Sequence, residues 1–191
     1  MADGYITTPV GPFPTTVGAT FGTFTTRQDI SPVPCPVILP YQLRLGTKIK
    51  IEAEGEWSTT GTATFTPEIY YGITLDTNTG KPAALTGSIA AAGAQSVVSG
   101  AAWPWRMEWR GMVTALGTTG VIIGQGDIEA ALTSITAFTS TAIPITQALR
   151  TVTLVTPGTS GPIVIGIAAA CGTSSASNTI KCNQFSVQLL N

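Results

Sequence analysis

Large apolar and ionisable side chains alternate one by one between residues 105 and 113, in the stretch WRMEWRGMV. Successive side chains of a β-strand point to opposite faces, so this order predicts a strand with one buried face and one exposed face. We expect Trp105 and Trp109 to be buried on one side, and Arg106 and Arg110 to lie in solvent on the other.

The same period of two recurs along most of the chain after residue 43. Threonine, glycine and proline turns separate the segments, and no segment has the spacing of an amphipathic helix. The pattern predicts about seven to nine strands in an all-β fold, either a β-sandwich or a jelly roll. Besides the strand at 105–116, the predicted strands span residues 47–58, 62–74, 121–132, 150–156, 161–170 and 179–190.

Three places break this pattern. Pro67 lacks a backbone donor and therefore predicts an edge position or a bulge within its strand. The apolar positions of the last strand shift by one residue, which predicts a β-bulge near Asn183–Gln184. The uncharged, alanine-rich stretch over residues 85–103 predicts a neutral loop, a crossover or a short helix.

Residues 1–40 differ from the rest because they contain seven of the 13 prolines. Proline fixes φ and favours extended neighbours, so the segment is predicted to be an extended N-terminal arm before a sandwich domain over residues 41–191. One interpretation is a loose tail, and the other is an arm that lies along a neighbouring surface. The apolar residues Val33, Val37, Ile38 and Leu39 favour the second, because a solvated tail has no need of them.

Charged residues make up only 10% of the chain, against about 25% in an average globular protein. Together with a mean hydropathy of +0.32, this composition is typical of a protein that covers much of its surface with its own copies or a partner. The net charge of −1 lacks the basic excess of nucleic-acid-binding proteins. Because no signal peptide and no membrane-spanning run are visible, we expect synthesis in the cytoplasm and no membrane partner.

The three cysteines lack the CxxC spacing of a structural zinc site. Synthesis in the cytoplasm favours reduced thiols, and buried free thiols are the interpretation we prefer. The alternative is a disulfide between Cys171 and Cys182 across adjacent strands.

Candidate catalytic groups are few. The chain has no histidine, which removes the commonest general base and the usual serine triad. Glu52, Glu54 and Glu56 fall on one predicted strand face about 7 Å apart, a separation that two glycosidase carboxylates could use. A solvated face beside Lys48 and Lys50 is the interpretation we prefer, so no enzyme, cofactor or metal site is predicted.

The four tryptophans are the remaining candidates for binding. Trp57, Trp103, Trp105 and Trp109 could form a sugar-binding platform, but the alternation at Trp105 and Trp109 favours core packing. Trp103 precedes Pro104 and is expected to lie outside the strand register. That position makes Trp103 the candidate for an interface or ligand contact.

Three blocks of the sequence resemble a recurrent family of tailed-bacteriophage virion structural proteins. The blocks are GEWSTTGTATFTPEIYYG at 55–72, WRMEWRGMVTALGTTGVIIGQGDIE at 105–129 and SASNTIKCNQFSVQLLN at 175–191. They follow the order found in that family and cover about a third of the chain. The motifs are turn and strand signatures of a jelly-roll-type sandwich, and none of them is catalytic.

The resemblance implies a non-enzymatic head-decorating or minor capsid protein, a homotrimer on the exterior of the virion, made in the host cytoplasm. Its partners would be its own copies and the major capsid protein, whose assembled lattice it would cement. Pro34, Val37 and Leu39 of the arm are the predicted capsid contacts. One alternative is a tail or fibre module that binds host-surface carbohydrate through Trp103, and another is a glycan hydrolase.

Overall fold

The computed structural model describes residues 7–9, 14, 16–18, 20–117, 120–143, 150–151 and 162–190. Within these ranges the regular structure consists of strands and one short 3-10 helix, Pro40–Gln42, so the all-β prediction is confirmed. In chain order the strands are β1 (Thr7–Pro9), β2 (Phe21–Gly22), β3 (Gln28–Asp29), β4 (Val37–Ile38), β5 (Lys48–Thr59), β6 (Ala63–Gly72), β7 (Leu75–Asp76), β8 (Lys81–Pro82), β9 (Gly87–Ala91), β10 (Gln95–Val97), β11 (Gly100–Ala115), β12 (Val121–Ser134), β13 (Ala137–Ile143), β14 (Arg150–Thr151), β15 (Ile163–Cys171) and β16 (Thr179–Leu190).

The first sheet has the strand order β1-β16-β5-β11-β12-β13, and β2 and β14 add short pairs to β16 and β12. Neighbouring strands run antiparallel. The alternation predicted for β11 is confirmed, since Trp105 and Trp109 are buried while Arg106 and Arg110 are exposed. The register of β16 against β5 shifts just after Cys182, which confirms the predicted β-bulge.

The second sheet follows the path β10-β6-β15-β3, with β9 also on β6 and β4 also on β15. Strand β15 is buried on both faces, as its continuous apolar sequence requires. Pro67 lies in the interior strand β6, where its carbonyl accepts a hydrogen bond of 3.1 Å from the N–H of Ala92. On this side of β6 the pairing partner changes from β10 to β9 close to Pro67. The backbone N–H that proline lacks would therefore face the break between these two short strands.

The alanine-rich stretch forms β9, β10 and the beginning of β11, so the prediction of a loop, crossover or helix over residues 85–103 is wrong. The small side chains of Ala90 and Ala92 are buried beside the core. Tertiary packing against β6 therefore overrides the weak strand propensity of alanine.

The second half of the proline-rich segment belongs to the second sheet, because β3 and β4 both pair with β15. The carboxylate of Asp29 accepts hydrogen bonds from the Tyr70 hydroxyl at 2.5 Å and the Ser31 backbone N–H at 2.7 Å. It also forms an ion pair of 3.3 Å with Lys81. An arm separate from the sandwich is therefore not confirmed over residues 28–39, since the chain itself holds this segment.

The two sheets share one hydrophobic core. The indole of Trp57 on β5 stacks on Phe65 of β6 at a centroid distance of 5.4 Å and an interplanar angle of 12°. The same indole lies 6.4 Å from that of Trp105, and its N–H donates to the carbonyl of Ala131 at 3.1 Å. Aromatic stacking thus joins the first sheet to the second, as in a β-sandwich.

Glycines make the space that the tryptophans of the first sheet occupy. The Trp109 ring lies over Gly111 of its own strand and Gly124 of β12, and a Cβ at either position would overlap the ring. The glycines of the GQG stretch therefore have a packing role, which explains their place opposite the tryptophan strand.

Two parts of the strand prediction differ from the structure. The pattern does not predict β13, which pairs with β12 along the far edge of the first sheet. The predicted strand at 150–156 is described only at β14, and its remainder lies outside the described residues. The three cysteines are free and buried, and Cys171 and Cys182 lie in different sheets, which agrees with the preferred interpretation.

We expect Gly124→Ala to lower the free energy of unfolding by about 1–3 kcal/mol, because the new methyl overlaps both the Trp109 ring and the carbonyl of Arg110. Urea denaturation measures the change. The matched control is Gly61→Ala, whose new methyl has no heavy atom within 4 Å. Equal effects of the two substitutions would contradict the packing role.

We expect Tyr70→Phe to lower the free energy of unfolding by about 1–3 kcal/mol, since it removes a hydrogen bond to the side chain of Asp29. Tyr41→Phe is the control because the Tyr41 side chain is exposed. Thermal and urea unfolding should be unaffected by the control. A Tyr70 variant as stable as the parent would show that this bond does not hold the N-terminal segment.

Candidate functional site

Ionisable residues are concentrated on the outer face of the first sheet, which we call the charged face. It carries five of the nine lysines and arginines and six of the ten aspartates and glutamates. The period of two explains the concentration, because the opposite face of the same strands forms the core. Its members are Lys48, Lys50, Glu52, Glu54, Glu56, Arg106, Glu108, Arg110, Asp127, Glu129 and Lys181.

The register orders these charges in rows across the strands. Lys50 lies opposite Arg110, which makes a row of cations. Glu108 lies opposite both Glu52 and Asp127, which makes the next row a line of three carboxylates. Like charges directly opposite each other destabilise a sheet, so the compensation has to come from the neighbouring row.

Glu108 is the centre of that compensation. Its carboxylate lies 2.6 Å from Arg110, 3.5 Å from Arg106 and 3.6 Å from Lys50. Partial burial by itself would raise the pKa of Glu108, but the three cations outweigh burial and lower the pKa below its ordinary value. One carboxylate thus links two rows of the charged face.

One end of the charged face contains a depression that we call the cationic hollow, with a volume of about 570 Å³. Lys48, Lys50 and Arg110 supply its charge, while Met112 and Ile123 supply exposed apolar surface. None of its lining residues is acidic. The combination of apolar and cationic lining residues is suited to an aromatic or anionic group.

The other end carries a group that we call the acidic corner: Glu54, Glu56 and Phe138. These residues line a second depression of about 330 Å³ together with Pro104 and Arg106. Phe138 projects from the edge strand β13 and is exposed, as are the neighbouring residues of that strand. Glu56 is paired with a lysine of β16 at 2.9 Å.

The structure does not assemble a tryptophan platform, because Trp57, Trp105 and Trp109 are buried. Trp103 is half-buried within β11, opposite Trp57, so the prediction that it lies outside the strand register is wrong. The register shift falls one step earlier, where Ala102 has a positive φ of 53°, and this irregularity returns Trp103 to the alternation. Its interface role stays a prediction.

The predicted capsid contacts Pro34, Val37 and Leu39 are each half-buried. Val37 pairs with Val164 of β15, and the residue after Pro34 donates its backbone N–H to Gly80 at 2.7 Å. Val37 therefore belongs to the second sheet of its own chain, and Pro34 lies beside the turn between β7 and β8. Whether their exposed parts also meet a partner stays a prediction.

Two further groups with candidate chemistry are buried or paired. Burial raises the pKa of Cys35 to about 12, so its thiol stays protonated at neutral pH. Glu52, the first residue of the predicted carboxylate cluster, is paired with Lys50 at 2.9 Å. Among the described residues, no acidic or cysteine cluster is arranged to hold a metal ion. No described helix has the length and apolarity to cross a membrane.

The sequence pattern misses Phe138 and does not distinguish Met112 and Ile123 from other alternating residues. The sequence does contain a strand signal around Phe138, because ITAFTSTAI at 135–143 is rich in the β-branched residues isoleucine and threonine. The hollow itself has no sequence signal, since strands that are far apart along the chain supply its residues.

We expect Glu108→Gln to lower the free energy of unfolding by about 1 kcal/mol at neutral pH, since it removes the acceptor shared by three cations. The lowered pKa means that the carboxylate stabilises the fold above the ordinary glutamate range, and that this contribution is lost as the pH falls through the folded-state pKa. The stability difference from the parent should therefore shrink on acidification, as urea titrations at several pH values would measure.

Glu54→Gln is the control for this substitution, because no described cation lies within ion-pair distance of Glu54. It should change stability little at any pH. A difference between Glu108→Gln and the parent that stays constant down to acid pH would contradict the electrostatic assignment.

Comparison of the chain with family models, with curated proteins and with solved structures found no match. The resemblance of its three sequence blocks to phage virion proteins therefore stays a prediction. What can be said of function comes from the residues of this chain and their geometry.

Proposed function

We propose that the chain is a non-enzymatic bacteriophage structural protein that decorates the exterior of the capsid. In this proposal the sandwich is of the jelly-roll type and forms a homotrimer, and each trimer binds the assembled lattice of the major capsid protein. Binding only the assembled state shifts the assembly equilibrium towards it, which is how such a protein cements a shell.

The observation that carries the proposal is the exposure of large apolar side chains near the N-terminal segment. Tyr41 and Leu45 are 69% and 66% exposed, and Val17 is exposed to a similar degree. A monomer gains nothing from aromatic and aliphatic groups in water, whereas contact with a partner buries them. These residues extend the predicted contact set of Pro34, Val37 and Leu39.

The surface chemistry also supports an assembly role. Each ion pair that the structure gives for the charged face joins two residues of that face. Strand β13 forms an edge of the first sheet and has no ionisable residue, and such edges favour association. This arrangement fits a lattice component better than an enzyme.

Copy number in purified virions tests the proposal. Quantitative mass spectrometry should find many copies in a fixed ratio to the major capsid protein. A handful of copies per particle would instead indicate the tail or fibre module, and absence from the virion would overturn the proposal.

A double substitution of Tyr41→Glu and Leu45→Glu should abolish cosedimentation with capsids that lack the chain, because it places charge in the proposed apolar contact. Ile135→Glu is the matched control, since Ile135 is 56% exposed and follows Ser134 of β12 at the opposite end of the first sheet. Equal loss in the control, or full binding by the double variant, would exclude this contact.

A further inference from the structure

The cationic hollow has the chemistry of a receptor for an aromatic side chain. Met112 and Ile123 are among its apolar lining residues, and Lys48, Lys50 and Arg110 are its cationic ones. Lys50 and Arg110 also contact the carboxylate of Glu108 in the next row, which leaves their other sides to the hollow. A phenyl ring placed there would bury apolar surface and present its π face to the cations. Carboxylates beside such a ring would add favourable interactions with the same cations.

The acidic corner of the same chain has the complementary chemistry. Phe138 is 56% exposed, which is unusual for a large aromatic side chain. Glu54 and Glu56 line the same depression as Phe138. The chain thus carries both a protruding aromatic group with carboxylates and a hollow with cations.

A single copy cannot bring these two features together. Lys48 and Glu56 lie at opposite ends of β5, about 27 Å apart for an extended strand. Two copies stacked about a two-fold axis at the centre of the face are also unfavourable. That arrangement would place the row of Glu52, Glu108 and Asp127 against the same row of its partner, with like charges facing each other.

We infer that a second copy of this chain occupies the hollow, with Phe138 of one copy seated among Lys48, Lys50 and Arg110 of the next. The contact is head-to-tail, because each copy uses its corner for one neighbour and its hollow for the other. Such a contact closes when the rotation between copies permits a ring, and a ring of three is the homotrimer. This head-to-tail contact specifies how the copies associate in the homotrimer of the proposed function.

The test uses two substitutions that damage opposite halves of the contact. Phe138→Lys keeps the hollow but places in the corner a cation that Lys48, Lys50 and Arg110 would repel, whereas Ile123→Glu keeps the corner and places an acid in the hollow. Sedimentation equilibrium should show association of the parent chain and about tenfold or more weaker association of each variant alone. An equal mixture of the two should form a dimer and nothing larger, because only one intact corner and one intact hollow remain.

Val98→Glu is the matched control. Val98 and Ile123 are both 37% exposed, and Val98 lies outside the hollow. The control should associate as the parent does. Circular dichroism checks that each variant folds, and Met112→Glu replaces Ile123→Glu if the latter does not.

A parent chain that stays monomeric at millimolar concentration overturns the inference. Association that survives both substitutions, or a mixture that forms no dimer, overturns it as well and leaves the virion role standing. Because the measurement uses the isolated chain without capsids, absence of the chain from virions would sink the proposed function without affecting this contact.

Discussion

The fit of indole rings against glycine backbone is the constraint on which the sandwich depends. Trp109 occupies the space over Gly111 and Gly124, where any Cβ would overlap it, so neither side of the contact can change alone. Trp57 then carries the packing across to Phe65 in the second sheet. The hydrogen-bond ladders of the strands set their spacing, but the rings favour the register that brings Gly124 of β12 beneath Trp109 and Gly55 of β5 beneath Trp105.

The charged face is the other consequence of the same register. Once the tryptophans are buried, the residues between them must face water, and cross-strand pairing brings Glu52, Glu108 and Asp127 into one line. The repulsion within that line is offset by cations one row away, with Glu108 in contact with three of them. Lys48, Lys50 and Arg110 lie towards one end of the face. That end is therefore locally positive, although the net charge of the whole chain is close to zero.

The prolines of the N-terminal segment show how local and tertiary information divide. Their number predicts an extended backbone, and the described part of the segment contains the short strands β2, β3 and β4. Extension alone does not say which surface the segment follows. Asp29 fixes the segment to the second sheet of its own chain through Tyr70 and Lys81, which lie 41 and 52 residues away in sequence. Distant residue pairs of this kind have no signature in a single sequence.

By itself, the sequence determined the all-β class, the buried and exposed faces of β5 and β11, the bulge of β16 and the absence of histidine chemistry. Each of these follows from side-chain order along one strand or from composition, so neighbouring residues suffice to read it. Only the tertiary structure decided that β9 and β10 are strands, that Trp103 stays in register, and that the cationic hollow and the acidic corner exist. The physical reason is that strand pairing brings together residues far apart along the chain. Which strands pair depends on the packing of the whole core and not on neighbouring residues alone.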